Sequence, residues 1–216
     1  MTHPTRACRT TVWATILSSL AALPGSRAEQ ETPIKPPAEG RKLTHDETLR
    51  WIRDHRAWKL ARKTRPIWVR PVAAGEVGKE FQTADHVKET AREGAWLSVG
   101  VAGEPWFQTP DKVEAKYEPD GEELKKFAFD SAPVAYRKYK PKGDVRNWVA
   151  RVSGDDVAGF FIRPGYDPKI TLYSPAGGYV VKDAVEAPYA DDPKDVWLVQ
   201  EPLFESTYEI LPKPPE

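Results

Sequence analysis

The sequence predicts an α+β fold, in which an N-terminal helix is followed by two tandem small β-rich units, each ending in a short helix. Three observations lead to this class. A helix-capping motif lies at residues 44–47. Short apolar runs separated by glycine, proline and aspartate follow Pro66. The order of several aromatic and glutamate residues also occurs twice along the chain. The 216 residues suffice for one large domain or two small ones.

Residues 1–28 have the pattern of a signal peptide. Arg6 and Arg9 precede an apolar run over residues 11–23, and the small residues Ser26 and Ala28 fit a cleavage site after Ala28. The apolar run is too short to span a bilayer. We therefore expect a secreted or periplasmic protein. Cleavage removes three arginines and no acid, which leaves 29 basic residues against 32 acidic ones, no cysteine and no transmembrane segment.

Residues 29–43 form a Pro-rich stretch, which we interpret as an extended linker. The N-terminal helix is assigned to the next segment, residues 44–65. There, Thr44 and Glu47 form a capping box, in which each side chain bonds the backbone N–H of the other residue. The helix is predicted to run from about His45 to Lys63 and to end before the next proline.

Two tryptophans of this helix leave two interpretations open. Trp51 and Trp58 are seven residues apart, on nearly the opposite face from Leu49 and Ile52 at 100° per residue. One interpretation packs these rings on a second element of the fold. The other makes them, together with His55, a binding stripe.

The internal duplication is the most informative feature of the chain. In one block Pro71–Ala74 matches Pro133–Tyr136, and in a second block Trp96 matches Tyr179. The third block matches a longer set of residues. In the first unit this set is Trp106, Val113, Glu114, Tyr117 and Glu118, and in the second it is Trp197, Phe204, Glu205, Tyr208 and Glu209. We predict two homologous units, residues 66–119 and 130–211, joined by a connector, residues 120–129, and followed by a tail, residues 212–216.

Each unit is predicted to contain a hairpin followed by a short helix. In the first unit, Gly103 lies in the hairpin turn, where glycine tolerates a positive φ. Pro110 is well placed in the first turn of a helix. Val113 and Tyr117 are four residues apart and share the helix face that can pack on the hairpin.

The stretch from Gly94-Ala95-Trp96-Leu97-Ser98 to Trp106, continued by Val113 to Glu118, resembles the PGDYG family of small bacterial and phage domains. The second unit is similar at Pro175–Val181 and at Phe204–Glu209. The family's aspartate is replaced by Ala95 in one copy and Gly178 in the other. The resemblance implies two tandem domains of this kind. It implies no activity, since none is established for the family.

Composition excludes several classes of function. A single cysteine cannot form an intramolecular disulfide, and no Cys/His cluster has zinc spacing. A formal net charge of zero lacks the basic footprint of a nucleic-acid binder. We find no pattern that predicts a metal site or another cofactor.

The duplicated residues admit a structural and a catalytic interpretation. In the structural one, each short helix buries its tyrosine and leaves its glutamates in water. In the catalytic one, glutamates from the two units converge as acid and base of a hydrolase. We assign a structural role to the motif residues Trp106, Glu114, Tyr117, Glu118, Trp197, Glu205, Tyr208 and Glu209.

The candidate binding residues lie in an insertion that the first unit lacks. Surface loops on a rigid scaffold often carry recognition, and aromatic rings and arginine dominate interface hot spots. On that basis we select Phe160, Phe161, Arg163, Tyr166 and Tyr173, with Trp51 and Trp58 as the next candidates. The aromatic residues of the insertion could equally extend a strand in the core.

The sequence therefore favours an exported, non-catalytic binding or interaction protein. Its partner would be an unidentified protein or a cell-envelope glycan, and not a nucleic acid. A structural accessory protein of the cell envelope is the first alternative. A hydrolase that uses paired carboxylates is the second.

Overall fold

The computed structural model describes residues 40–82, 88–127, 129–130, 134–164, 169–185 and 196–212. The helices within these ranges are α1 (His45–Asp54), α2 (Pro110–Lys116) and α3 (Glu201–Thr207), with a 3₁₀ turn at Ala74–Glu76. The strands are β1 (Arg41–Leu43), β2 (Lys59–Lys63), β3 (Ile67–Pro71), β4 (Glu80–Gln82), β5 (Lys88–Thr90), β6 (Trp96–Val99), β7 (Pro105–Gln108), β8 (Tyr117–Lys125), β9 (Tyr136–Pro141), β10 (Asn147–Arg151), β11 (Val157–Ile162), β12 (Leu172–Pro175), β13 (Tyr179–Asp183), β14 (Val196–Val199) and β15 (Tyr208–Ile210).

The predicted α+β class is wrong, because the protein is mostly β. Of the described residues, 46% lie in strands and 18% in short helices, and the strands form four sheets. The predicted signal peptide lies outside the described residues, as does most of the predicted linker. The described end of that linker is not a free linker: β1 pairs in parallel with β11.

Helix α1 begins at the predicted capping box but is much shorter than predicted. The Thr44 hydroxyl accepts from the Glu47 N–H at 3.4 Å, and the Thr44 N–H donates to the Glu47 carboxylate at 3.0 Å. The helix ends at Asp54, and Arg56 adopts a left-handed φ of 48°. Residues 59–63, predicted as helix, form β2 instead. The prediction of a single helix over residues 44–65 is therefore wrong.

Two five-stranded sheets make up most of the fold. The first sheet has the strand order β7-β6-β3-β9-β8, and the second sheet has the order β14-β13-β10-β2-β15. Helix α2 leads directly into β8, and α3 leads directly into β15. A β-hairpin interrupts each half at the same point. It is β4–β5 between β3 and β6, and β11–β12 between β10 and β13.

The two halves exchange one strand each. Strand β2 lies in the second sheet, between β10 and β15, although it is followed by β3 of the first sheet. Strand β9 lies in the first sheet, between β3 and β8, although it is followed by β10 of the second. Residues 64–66 carry the chain from one sheet to the other, and Thr64 there donates its N–H to the Thr207 carbonyl at 2.8 Å. Each sheet is therefore completed by the other half of the chain.

Corresponding residues have the same pairing in both sheets. Trp106 lies opposite Ser98, and Trp197 lies opposite Val181, at the same position of each β-hairpin. The prediction that each unit ends in a short helix that carries its tyrosine is wrong, because Tyr117 and Tyr208 each begin the strand that follows a seven-residue helix.

The predicted match of Pro71–Ala74 with Pro133–Tyr136 does not follow this order. By its place in the sheet, β3 corresponds to β10, so that Trp68 corresponds to Trp148 and Val69 to Val149.

Side chains alternate between the two faces of each sheet. The face that carries Val69 and Trp106 in the first sheet, and Val149 and Trp197 in the second, is called the inner face here. The opposite, outer face carries Trp68 and Leu97 in the first sheet. In the second sheet, the outer face packs against α1 and the three-stranded sheet β1-β11-β12 in one large core.

Candidate functional site

The predicted binding insertion is largely a structural layer of the protein. It forms β11 and β12, which pair with each other and with β1. Phe160 is fully buried in the core and has no surface with which to contact a partner. The Phe161 and Tyr173 rings lie 5.0 Å apart, and the Tyr173 hydroxyl is buried without a hydrogen-bond partner. The alternative interpretation, in which the aromatic residues extend a strand, describes this region better.

The remaining predicted binding residues are held by contacts within the protein. The Arg163 guanidinium pairs with Asp46 at 3.2 Å at the start of α1, and its backbone N–H donates to the His45 ring. Trp51 stacks on His55 at 4.3 Å and packs against the large core. Trp58 lies outside the helix. Its ring packs against the same core, with the Lys182 ammonium 5.3 Å away. Tyr166 lies outside the described residues.

The glutamates of the duplicated motif lie at the surface. Glu118 pairs with Lys140 of β9 at 3.2 Å, and Glu209 pairs with Arg62 of β2 at 2.7 Å. These ion pairs occupy equivalent positions of the two sheets. Glu114 and Glu205 are exposed on α2 and α3. This arrangement gives the paired-carboxylate hydrolase no support.

The aromatic residues of the motif converge where the two inner faces meet, around the half-buried Lys63. Its ammonium lies 5.0 Å from the Trp106 ring centroid, 5.8 Å from that of Tyr117 and 5.7 Å from that of Tyr208. Rings at these distances attract a cation through their quadrupole. Tyr117 is buried, and burial raises the pKa of its hydroxyl. The phenol is therefore neutral under ordinary conditions.

A second lysine joins the halves at the same junction. The Lys116 ammonium pairs with Asp183 of β13 at 2.8 Å and lies 4.9 Å from the Trp197 ring. On the first-sheet side, Glu104 packs its carboxylate over Gly100, where the Cβ of any larger residue would collide with it. The Glu104 Oε2 atom is buried without a hydrogen-bond partner, and burial raises the pKa of this carboxyl.

This junction is a structural contact rather than an open site. The protein's own Lys63 fills the space between the three rings, and Lys116 is neutralised by Asp183. Tyr117 and Trp106 also belong to the small core beneath α2, together with Val113.

Within the ranges that the structure describes, no cluster of His, Cys, Asp and Glu residues could hold a metal ion. No helix in those ranges is both long and apolar enough to cross a membrane.

The outer face of the first sheet carries a group of partly exposed aromatic rings. Here we define the aromatic face as Trp68, Phe81, Phe107, Phe127 and Phe129. The Phe127 ring is at its centre, 6.1 Å from Trp68 and 5.7 Å from Phe129. Phe81 and Phe107 pack edge to face at 5.4 Å. All except Phe129 are partly buried, and Phe129 is 47% exposed.

A lysine lies over two rings of the aromatic face, and a second lysine follows it along the chain. The Lys125 ammonium is 4.4 Å from the Trp68 ring centroid and 4.7 Å from that of Phe127. Lys126 follows it and is exposed. Among the described residues, no carboxylate pairs with either lysine. The indole N–H of Trp68 is buried and has no hydrogen-bond partner.

A buried ion network fixes the base of this surface. Arg70 donates to both oxygens of Glu76 at 2.6 Å and to Asp130 at 2.8 Å. The Tyr136 hydroxyl donates to the same Asp130 carboxylate. Hydrogen bonding from Arg70 lowers the pKa of Glu76. Because Asp130 directly follows Phe129, the network holds the segment that presents the Phe129 ring.

Inspection of the sequence overlooked the aromatic face because its residues are far apart along the chain. The Phe127-Ala128-Phe129 stretch was available as a signal, but it lies in the segment assigned as a connector. Alternation within β3 places Trp68 on the face opposite Val69, yet only the pairing of β3 with β9 brings Trp68 close to Phe127.

The chain was compared with protein-family models, with curated protein sequences and with solved structures, and none of these comparisons finds a match. The resemblance to the PGDYG family therefore stays a prediction.

Proposed function

We propose that this is an exported, non-catalytic binding protein whose contact surface is the aromatic face of the first sheet. One observation supports the surface. The second sheet buries its outer face beneath a helix and a three-stranded sheet, whereas the same face of the first sheet keeps four partly buried aromatic rings and Phe129, which is 47% exposed. Exposed apolar patches of this kind mark interaction sites in soluble proteins.

The chemistry of the face suits binding. Large aromatic rings supply contact area at low cost in conformational entropy, and they are enriched at interface hot spots. The motif glutamates are exposed, and two of them form surface ion pairs. The proposal therefore assigns them no catalytic role. The PGDYG resemblance is compatible with it, because that family carries no established activity.

Site-specific photo-crosslinking tests the contact surface. A photoreactive phenylalanine analogue at position 129 should form adducts with components of a cell-envelope extract. The same analogue at Val185, which is 90% exposed and lies in the second half, serves as the control. Adducts at position 129 and none at position 185 support the proposal. Equal labelling at both positions, or none at 129, contradicts it.

Export is the second part of the proposal, and the signal pattern of residues 1–28 supports it. We expect the mature protein to begin at Glu29. Mass spectrometry of the purified native protein measures this directly. An intact Met1 terminus in a cytoplasmic fraction would refute export and leave the contact surface to be judged separately.

A further inference from the structure

We infer that the aromatic face receives an acidic amphipathic helix of a partner protein. This inference rests on the proposed function and adds the chemistry of the partner. It follows from how the protein covers the equivalent face of its second sheet, and from the charges beside the open face.

In the second half, a helix contributes apolar side chains to the core on the outer face of the sheet, together with the three-stranded sheet β1-β11-β12. There α1 presents Ile52, which is fully buried, with Leu49 and Trp51 packed against the same core. Leu49 and Ile52 lie three positions apart, which is the spacing of an apolar stripe on a helix. The outer faces of the two sheets are built from strands of the same order. By analogy with this core, a helix with a similar stripe is the element that we assign to the open face.

Chain connectivity explains why, within the part of the chain that the structure describes, no helix covers the outer face of the first sheet. Helix α1 precedes β2, and β2 is the exchanged strand of the second sheet. The helix therefore lies next to the second sheet. The segment in the equivalent position before β9 is the one that contains Phe127 and Phe129. Its described residues form no helix, and it contributes two rings to the surface.

The two lysines at the aromatic face, Lys125 and Lys126, indicate that the partner helix carries negative charge. Lys125 and Lys126 have no carboxylate partner among the described residues, and Lys125 lies directly over two rings of the face. The Glu76 carboxylate is bound by the buried Arg70 guanidinium, as is that of Asp130. A docked helix with glutamate or aspartate on its rim would supply carboxylate partners for the two lysines.

Selection from a display library tests this inference and does not require the partner to be identified first. The probe is a library of random peptides of about 15 residues, near the length at which an isolated helix is marginal in water. We expect the purified mature protein to enrich acidic peptides with apolar residues three and four positions apart. The double variant Lys125→Glu/Lys126→Glu should lose these peptides and enrich basic ones.

Single variants locate the binding on the aromatic face. Phe129→Ser should weaken the selected peptides about tenfold or more, as expected for truncation of a hot-spot ring. Val185→Ser in the second half and Lys59→Glu on β2 of the second sheet, both at exposed positions, should leave the affinity unchanged. Circular dichroism of the bound peptide should show helix.

Three outcomes would overturn the inference. One is no enrichment, or enrichment that Phe129→Ser and the lysine reversal leave intact. Another is binding to anionic phosphatidylglycerol vesicles that the lysine reversal abolishes, which would make a membrane surface the occupant. The third is dimerisation in sedimentation experiments that Phe129→Ser abolishes, which would make a second copy the occupant. If crosslinking at position 129 succeeds while the library yields nothing, the proposed function stands and the helical partner is wrong.

Discussion

The outer faces of the two five-stranded sheets have the same strand order but different degrees of burial. On the second sheet, eleven buried residues form one core with α1 and β11–β12. On the first sheet, the corresponding core has three buried residues, Leu97, Val99 and Tyr136, surrounded by partly buried rings. The difference follows from the strand exchange, because the N-terminal segment is attached to β2 and so covers the sheet that β2 joins. A strand order that is shared by two sheets therefore does not determine how either sheet is covered.

The largest effect that tests this comparison is expected in the second core. Phe160→Ala should lower the free energy of unfolding by about 3–5 kcal/mol, through lost transfer energy and the cavity left behind. Phe127→Ala in the first sheet should cost only about 1–2 kcal/mol, because its ring is partly exposed already. Denaturant unfolding of both variants measures the difference. Equal losses would mean that the first outer face is covered in solution.

The buried ion network distinguishes the first sheet in a second way. Arg70→Met should cost about 3 kcal/mol, since it leaves Glu76 and Asp130 buried without their cation. The position equivalent to Arg70 in the second sheet is Ala150. Ala150→Gly is the matched control for a buried position without charge, and it should cost about 1 kcal/mol.

The same variant should change the pH dependence of stability. The pKa of Glu76 is lowered by the hydrogen bond from Arg70, so its contribution is present above the pKa of an unfolded glutamate. That contribution is lost as the pH falls through the folded pKa. The parent protein should therefore lose more stability than Arg70→Met between neutral and acidic pH. Parallel acid-unfolding curves for the two proteins would contradict this assignment.

At the junction of the inner faces, Glu104→Gln should stabilise the protein at neutral pH by roughly 1 kcal/mol, the low end of the cost of a buried unsatisfied polar atom. Burial raises the pKa of Glu104, so the charged form disfavours folding. The stabilisation should disappear as the pH falls below the pKa of an unfolded glutamate, where the carboxyl is protonated in both states. A variant that is less stable at every pH would show that Glu104 is paired in solution.

The smallest effects are expected at the equivalent surface ion pairs. Glu118→Gln and Glu209→Gln should each cost less than about 1 kcal/mol, because both pairs are exposed and screened by salt. The two losses should also agree within error, since the pairs occupy equivalent positions. A loss of several kcal/mol at one position alone would show that the two sheets use these pairs differently.

The predictions that succeeded rest on local chemistry. Thr44 and Glu47 begin α1, and Pro110 begins α2, because capping and a fixed φ act over a few residues. Gly103 adopts a φ of 83° in its hairpin turn as predicted. Trp106 and Trp197 occupy the same place in their β-hairpins, as the offsets along the chain predict.

The predictions that failed concern segments whose structure depends on distant partners. Residues 59–63 have helical spacing and many charges, yet they form β2 because β10 and β15 offer hydrogen bonds on both sides. The binding residues proposed around Phe160 were chosen because the segment is an insertion. Its pairing with β1 and its cover by α1 bury it instead.

The sequence by itself determined the start of α1, the start of α2 at Pro110 and the hairpin turn at Gly103. Each of these depends on residues that are close together along the chain. Only the tertiary structure decided which sheet each strand joins, and hence which outer face is buried. Strand pairing joins residues far apart, such as Ala61 with Asn147 and Ile67 with Tyr139. Its free energy depends on the whole sheet, so no local pattern could assign α1 to one face and leave the aromatic face open.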